Sequence, residues 1–118
     1  MESQEILLQL LIGPLMLLIS IIFIMFPPKK INLLYGHRTK MSMLNQDTWK
    51  EANSRSMKMM FLISVLTCLI QLFAMIIGFE TEKTILYATI FLVAGLIIGL
   101  LLIEKELKKI FDNQGNRK

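Results

Sequence analysis

The chain has 118 residues, of which 54% are hydrophobic, and it carries a formal net charge of +4. So short a chain has too little volume to bury that much apolar surface in a soluble core, which favours a membrane protein. Basic residues next to apolar runs set membrane orientation and contact anionic lipid headgroups, so lipids are the expected partners and nucleic acid is not.

Three uncharged apolar runs cover residues 6–26, 59–79 and 85–103. At about 1.5 Å of rise per residue, each spans the roughly 30 Å hydrocarbon core of a bilayer as a helix. The sequence therefore predicts an all-α integral membrane protein with three transmembrane helices in a single domain, residues 1–118. The first run is expected to be retained, because it lacks a basic leader and a small-x-small cleavage pattern.

Charge is distributed unevenly around these runs. The segment 27–58 holds seven basic residues against Asp47 and Glu51, and the tail 104–118 is also basic, whereas the N-terminus and the short loop after residue 79 are acidic. By the positive-inside rule, the segment 27–58 and the tail are expected in the cytoplasm and the N-terminus outside.

Small and polar residues recur at helical spacing within each run. Pro14 predicts a kink in the first span. In lipid, small residues let helices approach closely and polar side chains bond across helices, so the stripes are expected to meet in a three-helix bundle. A G-x-x-x-G in the third run could alternatively pack a second copy of the chain as a homodimer. The residues assigned to helix packing are Gln71, Gly78, Gly95 and Gly99.

The segment 27–58 is too long for a simple connector, because structureless loops beyond about 12–15 residues are uncommon. Its scattered apolar residues predict a folded cytoplasmic loop on the membrane surface. Thr39 or Ser42 can cap a short helical turn. Thr48, with Glu51 three residues later, matches a capping box for a helix that could continue into the second span.

Polar and aromatic residues follow one another at helical spacing in this loop. Ser42, Asn45, Trp49, Asn53 and Ser56 would share one helix face. Gly36 would permit a tight turn that brings the upstream loop back over that face. Anchoring at the membrane interface and helix capping explain each residue singly, but the whole set favours a specific site. The upstream members of the set are Asn32, Tyr35, Arg38 and Thr39.

The segment 28–53 reads PKKINLLYGHRTKMSMLNQDTWKEAN. It resembles the signature of the SdpI-like family of small bacterial membrane proteins, approximately P-x-x-I-N-x-x-Y-G-Y-R-T-x-x-S-x-x-N-x-x-x-W-x-x-A-N. His37 stands where that pattern has Tyr, so a ring is kept and a phenol is lost. The resemblance implies a multi-pass protein of the bacterial inner membrane that confers immunity to a secreted, membrane-active peptide toxin.

Three functions follow as hypotheses. The first is binding or sequestration of a peptide toxin, with Arg38 pairing with an anionic group, Asn32, Asn45 and Asn53 bonding amides, and Tyr35 and Trp49 stacking. The second is a lipid- or amphiphile-handling transporter or enzyme, and the third is recruitment of a soluble regulator. No catalytic residue, cofactor or metal site is expected, because Ser42, His37 and Asp47 lack a strand-turn-helix context and one His with one Cys makes no zinc set.

Overall fold

The computed structural model describes residues 2–118, and every regular element in that range is a helix. The first apolar run forms α1 (Ser3–Leu10) and α2 (Gly13–Met25), and it is followed by α3 (Gln46–Ile76) and α4 (Thr81–Ile110). With α1 and α2 taken together, three helical stretches are long and apolar enough to cross a membrane. The predicted all-α fold with three spans is confirmed over these residues.

Two of the helices are longer than a bilayer core requires. The 31 residues of α3 and the 30 of α4 give lengths of about 45 Å at 1.5 Å per residue, against roughly 30 Å of hydrocarbon. Their polar ends therefore extend from the same side of the membrane. We call residues 26–58 and 104–118 the polar cap. The sequence placed 104–118 in a tail, but α4 continues to Ile110, so the first half of that tail is helical.

The first span is interrupted between α1 and α2, where Pro14 supplies no backbone donor. The Gln71 side chain of α3 bridges the interruption. Its Oε1 accepts a hydrogen bond from Gly13 N–H at 3.0 Å, and its Nε2 donates to the Gln9 carbonyl at 2.9 Å and to Gln9 Oε1 at 2.6 Å. A backbone group without a partner is costly in hydrocarbon, so this one side chain makes the predicted kink tolerable.

Gly78 does not pack against another helix, in contrast to the sequence prediction. α3 ends at Ile76, and Gly78 occupies the turn before α4 with φ of +73°. A Cβ at this position would meet nothing within 4 Å. Gly78 is needed for its left-handed backbone, which side chains with a Cβ rarely adopt.

The two glycines of the G-x-x-x-G pack within the chain. A Cβ at Gly95 would lie 3.1 Å from the Ile63 side chain, and one at Gly99 would overlap Met59. Both neighbours belong to α3, so these glycines set the close approach of α3 and α4.

Most hydroxyls in the spans do not bond across helices as predicted. Ser64 and Thr67 donate to the carbonyls of Met60 and Ile63, at 2.6 and 2.8 Å, on their own helix. A Ser or Thr hydroxyl reaches the carbonyl four residues earlier without any tertiary requirement, so the local bond satisfies it. Gln71 has a longer side chain and does reach another helix.

Candidate functional site

The polar cap begins at the N-terminus of α3. Asn45 is the N-cap residue, and its Oδ1 accepts from Thr48 N–H at 2.9 Å while Thr48 Oγ1 accepts from Asn45 N–H at 3.1 Å. The capping box predicted from Thr48 and Glu51 is therefore wrong by one turn, because Asn45 supplies the cap earlier. Glu51 instead accepts from Arg55 Nε at 3.0 Å. The helix runs unbroken from Gln46 through the second span.

Thr39 and Ser42 form a reciprocal turn just before α3. Thr39 N–H donates to Ser42 Oγ at 2.8 Å, and Ser42 N–H donates to Thr39 Oγ1 at 3.2 Å. Ser42 Oγ also donates toward the His37 carbonyl at 2.9 Å. Ser42 thus holds the loop backbone, and it lies before α3 rather than on the predicted helical face.

The loop folds back over Trp49 and Asn53, as the glycine at position 36 predicted. Gly36 has φ of +109°, and a Cβ there would lie 2.6 Å from Asn53 Oδ1 and 3.2 Å from Trp49 Cζ2. Both the backbone conformation and the available space therefore require glycine. Trp49 is fully buried, and its indole N–H donates to the Pro28 carbonyl. The loop therefore packs directly over Trp49 and Asn53.

Asn53 holds the loop segment that leads to His37. Its Oδ1 accepts from His37 N–H at 2.6 Å, and its Nδ2 donates to the Trp49 carbonyl of its own helix at 2.9 Å. A buried side-chain amide that is used as both donor and acceptor fixes the loop position relative to α3.

His37 and Thr39 connect the loop to α4 through Glu104. His37 Nε2 lies 3.0 Å from Glu104 Oε1, and the Thr39 hydroxyl donates to the same oxygen. The His37 side chain is 1% exposed and that of Glu104 is 24% exposed. These three residues form a network that joins two parts of the chain 65 or more residues apart.

Three of the predicted site residues bond only to backbone groups within residues 26–38. Asn32 Oδ1 accepts from the N–H groups of Leu34 and Tyr35 at 3.0 and 2.7 Å, so Asn32 forms a local turn. The Tyr35 hydroxyl donates to the Phe26 carbonyl at 2.8 Å, and desolvation raises its pKa. Arg38 is exposed, and its guanidinium donates to the Leu33 carbonyl. The stacking wall of Tyr35 and Trp49 is not formed, because Trp49 is buried beneath the loop.

The last eight residues fold onto the cap, although the sequence assigned them no role. Asn45 Nδ2 donates to the Gly115 carbonyl at 2.7 Å, and Phe111 is 1% exposed. Arg117 donates to both carboxylate oxygens of Asp47, at 2.8 and 2.7 Å. These hydrogen bonds and the charge of Arg117 hold the pKa of Asp47 below its usual range. The same hydrogen bonds, with the negative charges of Asp47 and Glu51, raise the pKa of Arg117.

Glu104 was missed by sequence reasoning, and the reason is positional. It is the first charged residue after the third apolar run, so it was counted with the cytoplasmic tail 104–118. Its place beside His37 follows from the antiparallel pairing of α3 and α4, and no local spacing reveals it.

The geometry does not assemble the nucleophilic triad considered from sequence. Ser42 Oγ bonds backbone, His37 Nε2 bonds Glu104, and Asp47 pairs with Arg117. Within residues 2–118 no group of three or more His, Cys, Asp or Glu could hold a metal ion.

These observations define a multi-pass helical membrane protein whose loop is folded into a hydrogen-bonded cap. The family model described as the SdpI/YfhL protein family matches residues 29–104, from the cap loop to Glu104. An uncharacterised protein, YfhL of Bacillus subtilis (strain 168), is 36% identical over 103 residues, which cover 87% of this chain and 88% of that protein. The chain belongs to the SdpI/YfhL family. No solved structure shows a significant match to it.

Proposed function

We propose that this protein is a non-enzymatic immunity protein of the bacterial cell membrane that binds or sequesters a secreted, membrane-active peptide. The N-terminus lies outside and the polar cap faces the cytoplasm, as the basic residues of the cap favour. Membership of the SdpI/YfhL family supports this role.

The proposal rests on the exposed position of Arg38 and on the partners of its guanidinium. Within residues 2–118 its guanidinium has no carboxylate partner, and the Leu33 carbonyl holds it at the surface. Leu33 is 74% exposed and Leu34 is 92% exposed. A fixed cation beside exposed leucines suits an amphipathic peptide with an anionic group such as a terminal carboxylate.

Capture takes place within the membrane on the cap side, after the peptide has inserted from outside. Other polar groups of the signature already bond within the protein: Trp49, Asn53 and Ser42 bond the loop backbone. Their part in this mechanism is to hold the loop rigid so that Arg38 is presented in one position, which lowers the entropy cost of binding.

The test is survival of a sensitive bacterium that expresses the chain during challenge with a panel of secreted membrane-active peptides. Wild type should protect and Arg38→Ala should not, at equal membrane levels. Lys40→Ala is the matched control, because Lys40 is also exposed and basic on the same loop. Equal protection by wild type and Arg38→Ala would remove Arg38 from the mechanism, and no protection by wild type against any peptide would contradict the immunity role.

A second function, recruitment of a soluble regulator, is favoured by one observation. Four basic side chains are exposed on one stretch of the cap loop, namely Lys29, Lys30, Arg38 and Lys40. In that case charge removal at Lys40 and Arg38 would weaken recruitment similarly, because electrostatic attraction to a partner depends on the summed field more than on one residue.

A further inference from the structure

A cavity of about 420 Å³ lies where the cap meets the spans. Ile19, Ile22 and Phe23 of α2, Met60 of α3 and Leu100 of α4 form its apolar walls, and the loop segment 34–37 closes it on the cap side. This volume falls within the roughly 300–1,000 Å³ of typical ligand pockets.

His37 lines this cavity and carries a buried polar atom without a partner. The side chain is 1% exposed and lines the cavity. Its Nδ1 is buried, and no group in residues 2–118 bonds to it. Because a carboxylate only accepts hydrogen bonds, Nε2 donates to Glu104, and in the neutral ring Nδ1 is then an acceptor. We expect a ligand to supply a hydrogen-bond donor to this atom, because a buried acceptor without a donor costs free energy.

The surroundings of the cavity indicate which ligand supplies that donor. Leu34, which lines the cavity, is 92% exposed, as expected for a side chain that lies among acyl chains. The nearby loop carries exposed Lys29 and Lys30, which attract anionic headgroups. An acyl chain fits the walls, and a headgroup hydroxyl can donate to His37 Nδ1.

We propose that this cavity is a binding site for an anionic glycerophospholipid with a hydroxylated headgroup, of the phosphatidylglycerol class. The acyl chain lies against the α2, α3 and α4 walls, and the headgroup hydroxyl bonds His37 Nδ1. The site needs neither Arg38 nor a toxin, and it shares Leu34 with the surface proposed for peptide capture.

The single tryptophan of the chain provides the measurement. Trp49 lies against Gly36, which lines the cavity, so an acyl chain brominated along its length should quench Trp49 emission when it occupies the site. The purified protein is placed in phosphatidylcholine vesicles that contain increasing fractions of brominated phosphatidylglycerol. Brominated phosphatidylmethanol has the same charge without a hydroxyl, and brominated phosphatidylcholine reports non-specific contact.

Phosphatidylglycerol should reach half-maximal quenching at a mole fraction about fivefold lower than phosphatidylmethanol, the ratio expected from one hydrogen bond. His37→Phe should abolish that ratio. Leu100→Phe should fill the cavity and weaken quenching by both anionic lipids while His37 and Glu104 remain in place.

Leu101→Phe is the matched control, because Leu101 is 66% exposed and does not line the cavity. In this variant the brominated lipids should quench Trp49 emission as they do in wild type. Equal half-saturation by phosphatidylglycerol and phosphatidylmethanol in wild type would overturn hydroxyl recognition by His37. Identical curves for Leu100→Phe and Leu101→Phe would overturn the cavity as the site.

Discussion

Replacing Glu104 by alanine removes the α4 carboxylate that holds the cap loop. Glu104 accepts from Thr39 Oγ1 and from His37 Nε2. A hydrogen bond to a charged group contributes about 1.5–3 kcal/mol, so the two together give about 3–6 kcal/mol. The Glu104 side chain is 24% exposed, so water can replace part of the loss, and we expect a cost of about 2–3 kcal/mol.

Two further variants separate the hydrogen bonds from general effects on α4. Glu104→Gln keeps an acceptor oxygen and loses the charge, and charge-assisted bonds are roughly twice as strong as neutral ones, so about half the cost is expected. Glu106→Ala is the control, because Glu106 is 44% exposed and its carboxylate lies 3.5 Å from Lys109 on the same helix. Its loss should stay within about 0.5 kcal/mol.

The assay is reversible unfolding in mixed detergent micelles, followed by the emission of Trp49, which is fully buried in the cap. The expected order of destabilisation is Glu104→Ala, then Glu104→Gln, then Glu106→Ala. If Glu104→Ala and Glu106→Ala unfold at the same detergent fraction, the network of His37, Thr39 and Glu104 does not hold the cap, and the reasoning is refuted.

Two further predictions concern the helix break and the orientation. Gln71→Leu removes all three hydrogen bonds across the break, and at about 0.6 kcal/mol for each bond in a membrane it should destabilise the protein by about 2 kcal/mol. Gln9→Leu removes one of these bonds and should cost about 0.6 kcal/mol in the same unfolding assay. Equal costs for the two variants would contradict the bridging role of Gln71. In a Cys68→Ser background, a membrane-impermeant thiol reagent added to intact cells should label Glu82→Cys in the first turn of α4 and leave Lys40→Cys in the cap unlabelled. The reverse pattern would invert the proposed topology.

Features that depend on neighbours in sequence were predictable here. Hydropathy and helix length indicate the three spans, and Pro14 indicates the break, because both follow from the local requirements of backbone in lipid. The glycine at position 36 likewise predicted that the loop turns back, since few other residues adopt its backbone conformation.

Local reasoning was less successful for the roles of individual polar side chains. Asn45 was placed on a binding face, but it caps α3 and holds Gly115. Asn32 was assigned to ligand amides, but it closes a local turn. An Asn bonds a nearby backbone group or a ligand with the same atoms, so its residue type and spacing do not distinguish the two uses.

The amino-acid order alone was sufficient to establish a three-span helical protein with a polar, basic loop between its first two spans. Only the packing of α4 against α3 decided that Glu104 meets His37 and Thr39, and that the final residues reach Asp47. The physical reason is the distance along the sequence between the residues that interact. Helix formation and membrane insertion are governed by contiguous stretches of chain, whereas a hydrogen bond between residues more than 60 positions apart exists only after the helices that carry them have paired.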